Sequence, residues 1–132
     1  MVKRNLMNIL LLPNQPRESQ HLFLNACDIT MLSLAPNMLG MGVPSRLYNY
    51  MAAGKPVIGV VEIESEPGRV INEEKIGWVV PPGDPHLLAD VILQASRSSL
   101  LAEMGYRARE AALLHYSQKR IVSMYSELAD SL

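Results

Sequence analysis

The sequence predicts an α/β domain built on a parallel sheet of short buried strands, with helices on both faces. Three observations predict it. Short continuous apolar runs, at residues 8–12, 28–34, 57–61 and 77–80, each stop at a proline or a polar loop. Segments with helical spacing of apolar residues lie between and after them. Proline, serine, aspartate and glycine stand where helices should start and stop. The 132 residues suit a single domain covering 1–132.

Taken in order, residues 8–12 (Asn-Ile-Leu-Leu-Leu) read as a strand buried on both faces and ended by Pro13. A loop follows at 13–16. Residues 17–26 read as a helix with Leu22, Leu24 and Ala26 toward the core. The second strand is at 28–34. A loop at 35–43 leads into a helix of about ten residues that ends at Gly54, where a left-handed residue suits a helix stop and Pro56 forbids continuation. The third strand is at 57–61. An acidic loop, Glu62 to Glu66, precedes a short helix over 67–74, and the fourth strand spans 77–80. Asp84 followed by Pro85 is a strong helix start, and Leu87, Leu88, Val91, Ile92 and Ala95 then share one face. A further helix runs to about His115, with a bend expected at Gly105. Ser117 should cap a last helix bearing Ile121, Met124, Tyr125, Leu128 and Leu132.

The bulk numbers exclude several classes. Twelve basic and thirteen acidic residues give a formal charge of −1, without the basic footprint of a nucleic-acid binder. One cysteine, Cys27, allows no internal disulfide, fits a reducing compartment and reads as a buried structural thiol. No apolar run approaches the roughly 20 residues that span a bilayer, and the N-terminal run lacks the length and cleavage site of a signal peptide.

The chemistry centres on 40–54. Gly40 and Gly42 let backbone approach a ligand closely. Pro44 and Ser45 suit the start of the following helix, where converging amides hold a phosphate or another anion. In a parallel sheet, ligands sit at the C-terminal strand ends, at a switch in strand order. The loops at 13–16, 35–43 and 62–66 would all lie on that edge. Other features read as structure. His21, His86 and His115 lack metal-ligand spacing. Tyr48, Tyr50 and Trp78 read as core, Lys55 as a solvated turn residue, and Glu62, Glu64 and Glu66 as solvated loop charge. No dinucleotide fingerprint or P-loop is present, because a third glycine is absent and Pro56 follows Gly54-Lys55.

An ordered series of blocks adds a resemblance. Ala26-Cys27-Asp28-Ile29, the run from Gly42 to Ile58, the run from Ile76 to Asp84, Met104-Gly105 with Ala108-Arg109, and Tyr116-Ser117 follow one another at characteristic distances. Together they resemble the C-terminal, nucleotide-sugar-binding domain of the retaining GT-B glycosyltransferases of family 4, also called glycosyl transferases group 1. The branch that the resemblance implies contains enzymes of bacterial surface-polysaccharide assembly, such as amino-sugar transferases.

The resemblance implies a Rossmann-like fold, the C-terminal half of a GT-B enzyme. It implies a nucleotide diphosphate sugar, a UDP-sugar, as substrate, with no cofactor and no metal. The diphosphate would lie on Gly42, Val43 and Ser45, with Arg46 in place of the family's lysine. The family's two glutamates, separated by seven residues, fall on Met41, next to the donor sugar, and Asn49, at the ribose. The GT-B fold needs two such domains, so an N-terminal half or a separate acceptor-domain chain is the expected partner. The first strand and helix of the C-terminal domain are also missing from the pattern. The expected location is the cytoplasm, at the inner face of the membrane through a partner. The rival readings are a non-catalytic module that pairs with a separate chain, and a sugar-nucleotide epimerase of the same overall fold.

Overall fold

A computed structural model describes residues 6–42 and 44–131. Its core is a three-stranded parallel sheet of β1 (Thr30–Ser33), β2 (Val57–Val60) and β3 (Gly77–Val80), in the order β1-β2-β3. Thr30 pairs with Val57, and Val57 with Gly77, so the three strands begin in step. Among the described strands the order never reverses, and the expected switch point is not present among them.

The helices are α1 (Gln20–Ala26), preceded by a 3-10 turn at Arg17–Ser19, α2 (Ser45–Ala52), α3 (Glu66–Glu73), α4 (Pro85–Ser96), α5 (Leu101–Leu114) and α6 (Gln118–Asp130). The caps explain several boundaries. Ser65 accepts from the Gly68 amide, Asp84 from Leu87 and Ser117 from Arg120, each satisfying a first-turn donor.

Alternation along the strands divides the core in two. Leu32, Val57 and Val79 face one side, where Leu47, Met51, Val70, Ile71 and Ala108 from α2, α3 and α5 cover them. Ile58, Trp78 and Val80 face the other, against Val91 and Ala95 of α4. This second layer stops short of β1, where Met31 is 46% exposed. Tyr48, Tyr50 and Trp78 are half-buried and packed against these clusters, as their sequence context suggests.

α5 runs unbroken through Gly105. Gly105 lies where a Cβ would collide with the Gly54 carbonyl, so its missing side chain lets α5 close on the end of α2. Arg109 strengthens that junction by donating from Nη1 to the Ala52 carbonyl, 3.1 Å away.

Four further expectations are corrected. Residues 8–12 form no strand. They are exposed without regular structure, Leu11 at 89%, because the described sheet has no strand that pairs with them. The loop at 13–16 therefore follows no strand. In α1, Leu22 and Ala26 are exposed and Leu24 is half-buried, because α1 lies outside both core clusters. Cys27 is half-buried rather than buried. Lys55 is not a free turn residue: its Nζ donates to the Cys27 carbonyl at 2.8 Å and to that of Asn25 at 3.4 Å, tying the end of α1 to the start of β2.

Candidate functional site

The C-terminal ends of β1 and β2 feed two loops that meet. The Leu34 amide donates to the Val60 carbonyl, and the Asn37 amide to Glu62 Oε1 at 3.1 Å. Asn37 takes φ 63° and Gly40 φ 73°, left-handed backbone that asparagine tolerates and glycine adopts freely. These turns carry the chain back from β1 to the start of α2. A cavity of about 480 Å³ opens between the loops. One wall is Leu39, Gly40 and Gly42, and the other is Glu64, Ser65, Glu66 and Arg69 at the start of α3. Its size and position suit a small-molecule ligand.

The residues singled out from the sequence are distributed unevenly around it. Gly42 lines the cavity and is exposed, with open space where a Cβ would stand. Met41 is 73% exposed beside it. Val43 lies outside the described residues. Ser45 is the first residue of α2, and its hydroxyl makes no cap; Pro44 holds the cap position, so no side chain covers the first-turn amides. Arg46 and Asn49 are exposed on α2 and are not among the cavity-lining residues. The glycine loop thus leads into α2, and the cavity joins it to the start of α3 as well.

Glu64, Ser65, Glu66 and Arg69 were missed as lining residues. The signal was present in Ser65-Glu66-Pro67, a serine cap followed by an acidic first turn with proline in it. Starting the helix at Pro67 hid the turn that forms the wall. Ser65 is buried and doubly used, donating to the Glu62 carbonyl and accepting from Gly68, so it shapes the loop rather than offering a free hydroxyl.

Glu66 has a neighbour on α2. Burial first, and then the Glu66 carboxylate, raise the Tyr48 phenol above its usual value of 10.0. Tyr48 packs on Tyr116 with ring centroids 5.1 Å apart, and Tyr116 donates to Glu74 Oε1 at 3.2 Å. A polar and aromatic chain thus runs behind the cavity wall from Glu66 to the end of α3. Among the described residues no group of three histidine, cysteine, aspartate or glutamate side chains is placed to hold a metal ion. A second cavity of about 320 Å³, lined by Tyr106, Arg109 and Leu113 of α5, lies near the far end of α2 and away from the strand ends. No helix among the described residues is long and apolar enough to cross a membrane.

A parallel α/β sheet with a glycine loop and a cavity at its C-terminal strand ends is a Rossmann-like arrangement of the kind found in GT-B proteins. The chain belongs to the family glycosyl transferases group 1, whose sequence profile matches residues 3–111. It is similar to the probable glycosyltransferase WbjE of Pseudomonas aeruginosa, with 38% identity over 103 residues, 78% of this chain and 26% of that protein. It is also similar to the phosphatidyl-myo-inositol mannosyltransferase of Mycobacterium leprae, with 31% identity over 101 residues, 74% of this chain and 26% of that protein. The chain therefore spans about a quarter of the length of these curated relatives. No solved structure matches significantly.

Proposed function

We propose that the chain is the donor-binding part of a glycosyltransferase that takes a nucleotide diphosphate sugar, a UDP-sugar, and passes the sugar to a glycan or lipid-linked acceptor. The observation that carries this reading is the cavity at the strand ends beside Gly40 and Gly42, within the segment that matches the family. In this reading the diphosphate sits against the loop at Gly42 and Val43 and the open amides of Ser45 and Arg46. Asn49 faces the ribose, and Met41 lies near the donor sugar.

The chemistry asked of this domain is modest. It holds the donor in one orientation and stabilises the negative charge that develops on the departing diphosphate. Amides fixed in place before the reaction do so without reorganising. A second GT-B half, in the same polypeptide or a partner chain, binds the acceptor and supplies any base that deprotonates it. The name of the mycobacterial relative supports a lipid-linked acceptor. In this reading the work is done in the cytoplasm, at the inner face of the membrane through a partner.

A titration of the isotope-labelled chain with UDP, followed through its amide resonances, tests the site. Shifts concentrated in residues 40–49 are expected, and their absence refutes the assignment. Met41 favours a second reading, a non-catalytic module, because an exposed thioether supplies neither charge nor a strong hydrogen bond. Transfer of sugar from a UDP-sugar once an acceptor-binding half is added supports the enzyme. UDP binding without transfer in that same mixture supports the module.

A further inference from the structure

We infer that Arg69, on α3, is the residue that meets the diphosphate charge of the ligand, from the wall opposite the glycine loop. The inference rests on the donor-site reading and adds to it a residue that neither the sequence pattern nor the family blocks single out.

The geometry points to Arg69 in three ways. It is the only cation among the described residues that line the cavity at the strand ends. Arg46 is on α2 and does not line it. Arg69 is also uncommitted. Its approach to Glu73, Nε to Oε1, is 3.7 Å, too long for a hydrogen bond, and the two side chains are 60% and 65% exposed, where such pairs contribute little. A phosphate that offers two oxygens to the planar guanidinium replaces that loose contact with a charge-assisted, forked one. The carboxylates beside it have other settings: Glu66 lies against the Tyr48 phenol, and Glu64 is exposed.

The same lining sets the ligand class. Two carboxylates and one guanidinium oppose a bare polyanion but suit a molecule with hydroxyls next to its phosphates, since carboxylates accept from hydroxyls. A nucleoside diphosphate has both parts. UDP should therefore bind better than inorganic pyrophosphate, although pyrophosphate carries the denser charge.

The test compares the affinity of UDP, uridine and pyrophosphate for the chain and for Arg69→Gln, Arg46→Gln and Glu73→Gln. Arg69→Gln is expected to weaken UDP binding about tenfold, to leave uridine unchanged and to flatten the salt dependence of UDP affinity. Glu73→Gln removes the competing carboxylate and is expected to tighten UDP about twofold. Arg69 is exposed, so an unchanged unfolding midpoint for Arg69→Gln accompanies these results. The inference is overturned if Arg69→Gln leaves UDP affinity unchanged, if Arg46→Gln costs more than Arg69→Gln, or if uridine loses as much as UDP. In each of those cases UDP still shifts residues 40–49, so the donor-site reading survives. If UDP shifts nothing in 40–49 of the unaltered chain, the donor-site reading fails and the inference falls with it.

Discussion

Tyr116 shows how one side chain ties a helix junction to the core. It lies in the middle of the segment between α5 and α6, packs tilted against Tyr48 and donates its hydroxyl to Glu74. Burial is the main cause that raises its phenol above 10.0, and Glu74 adds to it. The raised folded value fixes the direction of the pH dependence. Below about pH 10 the phenol is protonated in both the folded and unfolded chain, and its contribution is fully present. Above that, the unfolded chain ionises first and stability falls. Tyr116→Phe removes this ionisation and the Glu74 hydrogen bond. Urea unfolding should therefore show a loss of about 1 kcal/mol at pH 8 and a shallower decline between pH 9.5 and 10.5, as roughly bracketed by the usual phenol value. An equally steep alkaline decline in the variant would show that Tyr116 is not its source.

At the scale of elements, the most legible pieces in the sequence were those with local chemistry. β3 and α4 stand where Gly77-Trp78-Val79-Val80 and Asp84-Pro85 put them, and Ser117 caps α6. Asp84→Ala should cost about 1 kcal/mol by loss of the bond to the Leu87 amide, read as a lower denaturation midpoint with an unchanged slope. Gly105 was less legible, because its role is set by a partner 51 positions away, at Gly54. Glycine inside a helical pattern suggests a bend from local rules alone. The contact shows a close approach of backbones there. Gly105→Ala drives a methyl into the Gly54 carbonyl, which cannot move as a side-chain end would. It should cost about 2 kcal/mol, measured by thermal unfolding. The displaced α2 should also weaken UDP binding. Full stability in Gly105→Ala would mean that α2 and α5 do not pack this tightly.

For the whole molecule, the class of fold was legible and the extent of the sheet was not. Alternating apolar runs and capped helices specify parallel α/β layers, but whether a given run becomes a strand depends on a neighbour to pair with. Residues 8–12 have strand composition and no neighbouring strand in the sheet, so they stay exposed. The double variant Leu10→Ser, Leu11→Ser should therefore change stability by no more than about 0.5 kcal/mol, where a buried strand would lose several kcal/mol. A chemical denaturation curve separates the two. The site was half legible for a similar reason. The glycine loop is written in consecutive residues, whereas the opposite wall, from Glu64 to Arg69, is brought to it only when β2 pairs beside β1.

The sequential strand order has a kinetic consequence. Among the described strands, Val57 pairs with Gly77 twenty positions on, and Thr30 with Val57 twenty-seven positions on. The shorter closure costs less chain entropy before its contacts repay it. The unit of β2, α3 and β3 has the shorter closure and should assemble first. β1 and α2, with the glycine loop between them, then dock on it. In stopped-flow measurements, Ile71→Ala in α3 should slow refolding, whereas Leu47→Ala in α2 should chiefly speed unfolding. The edge that carries the cavity is then the last part of the sheet to form and the first to open.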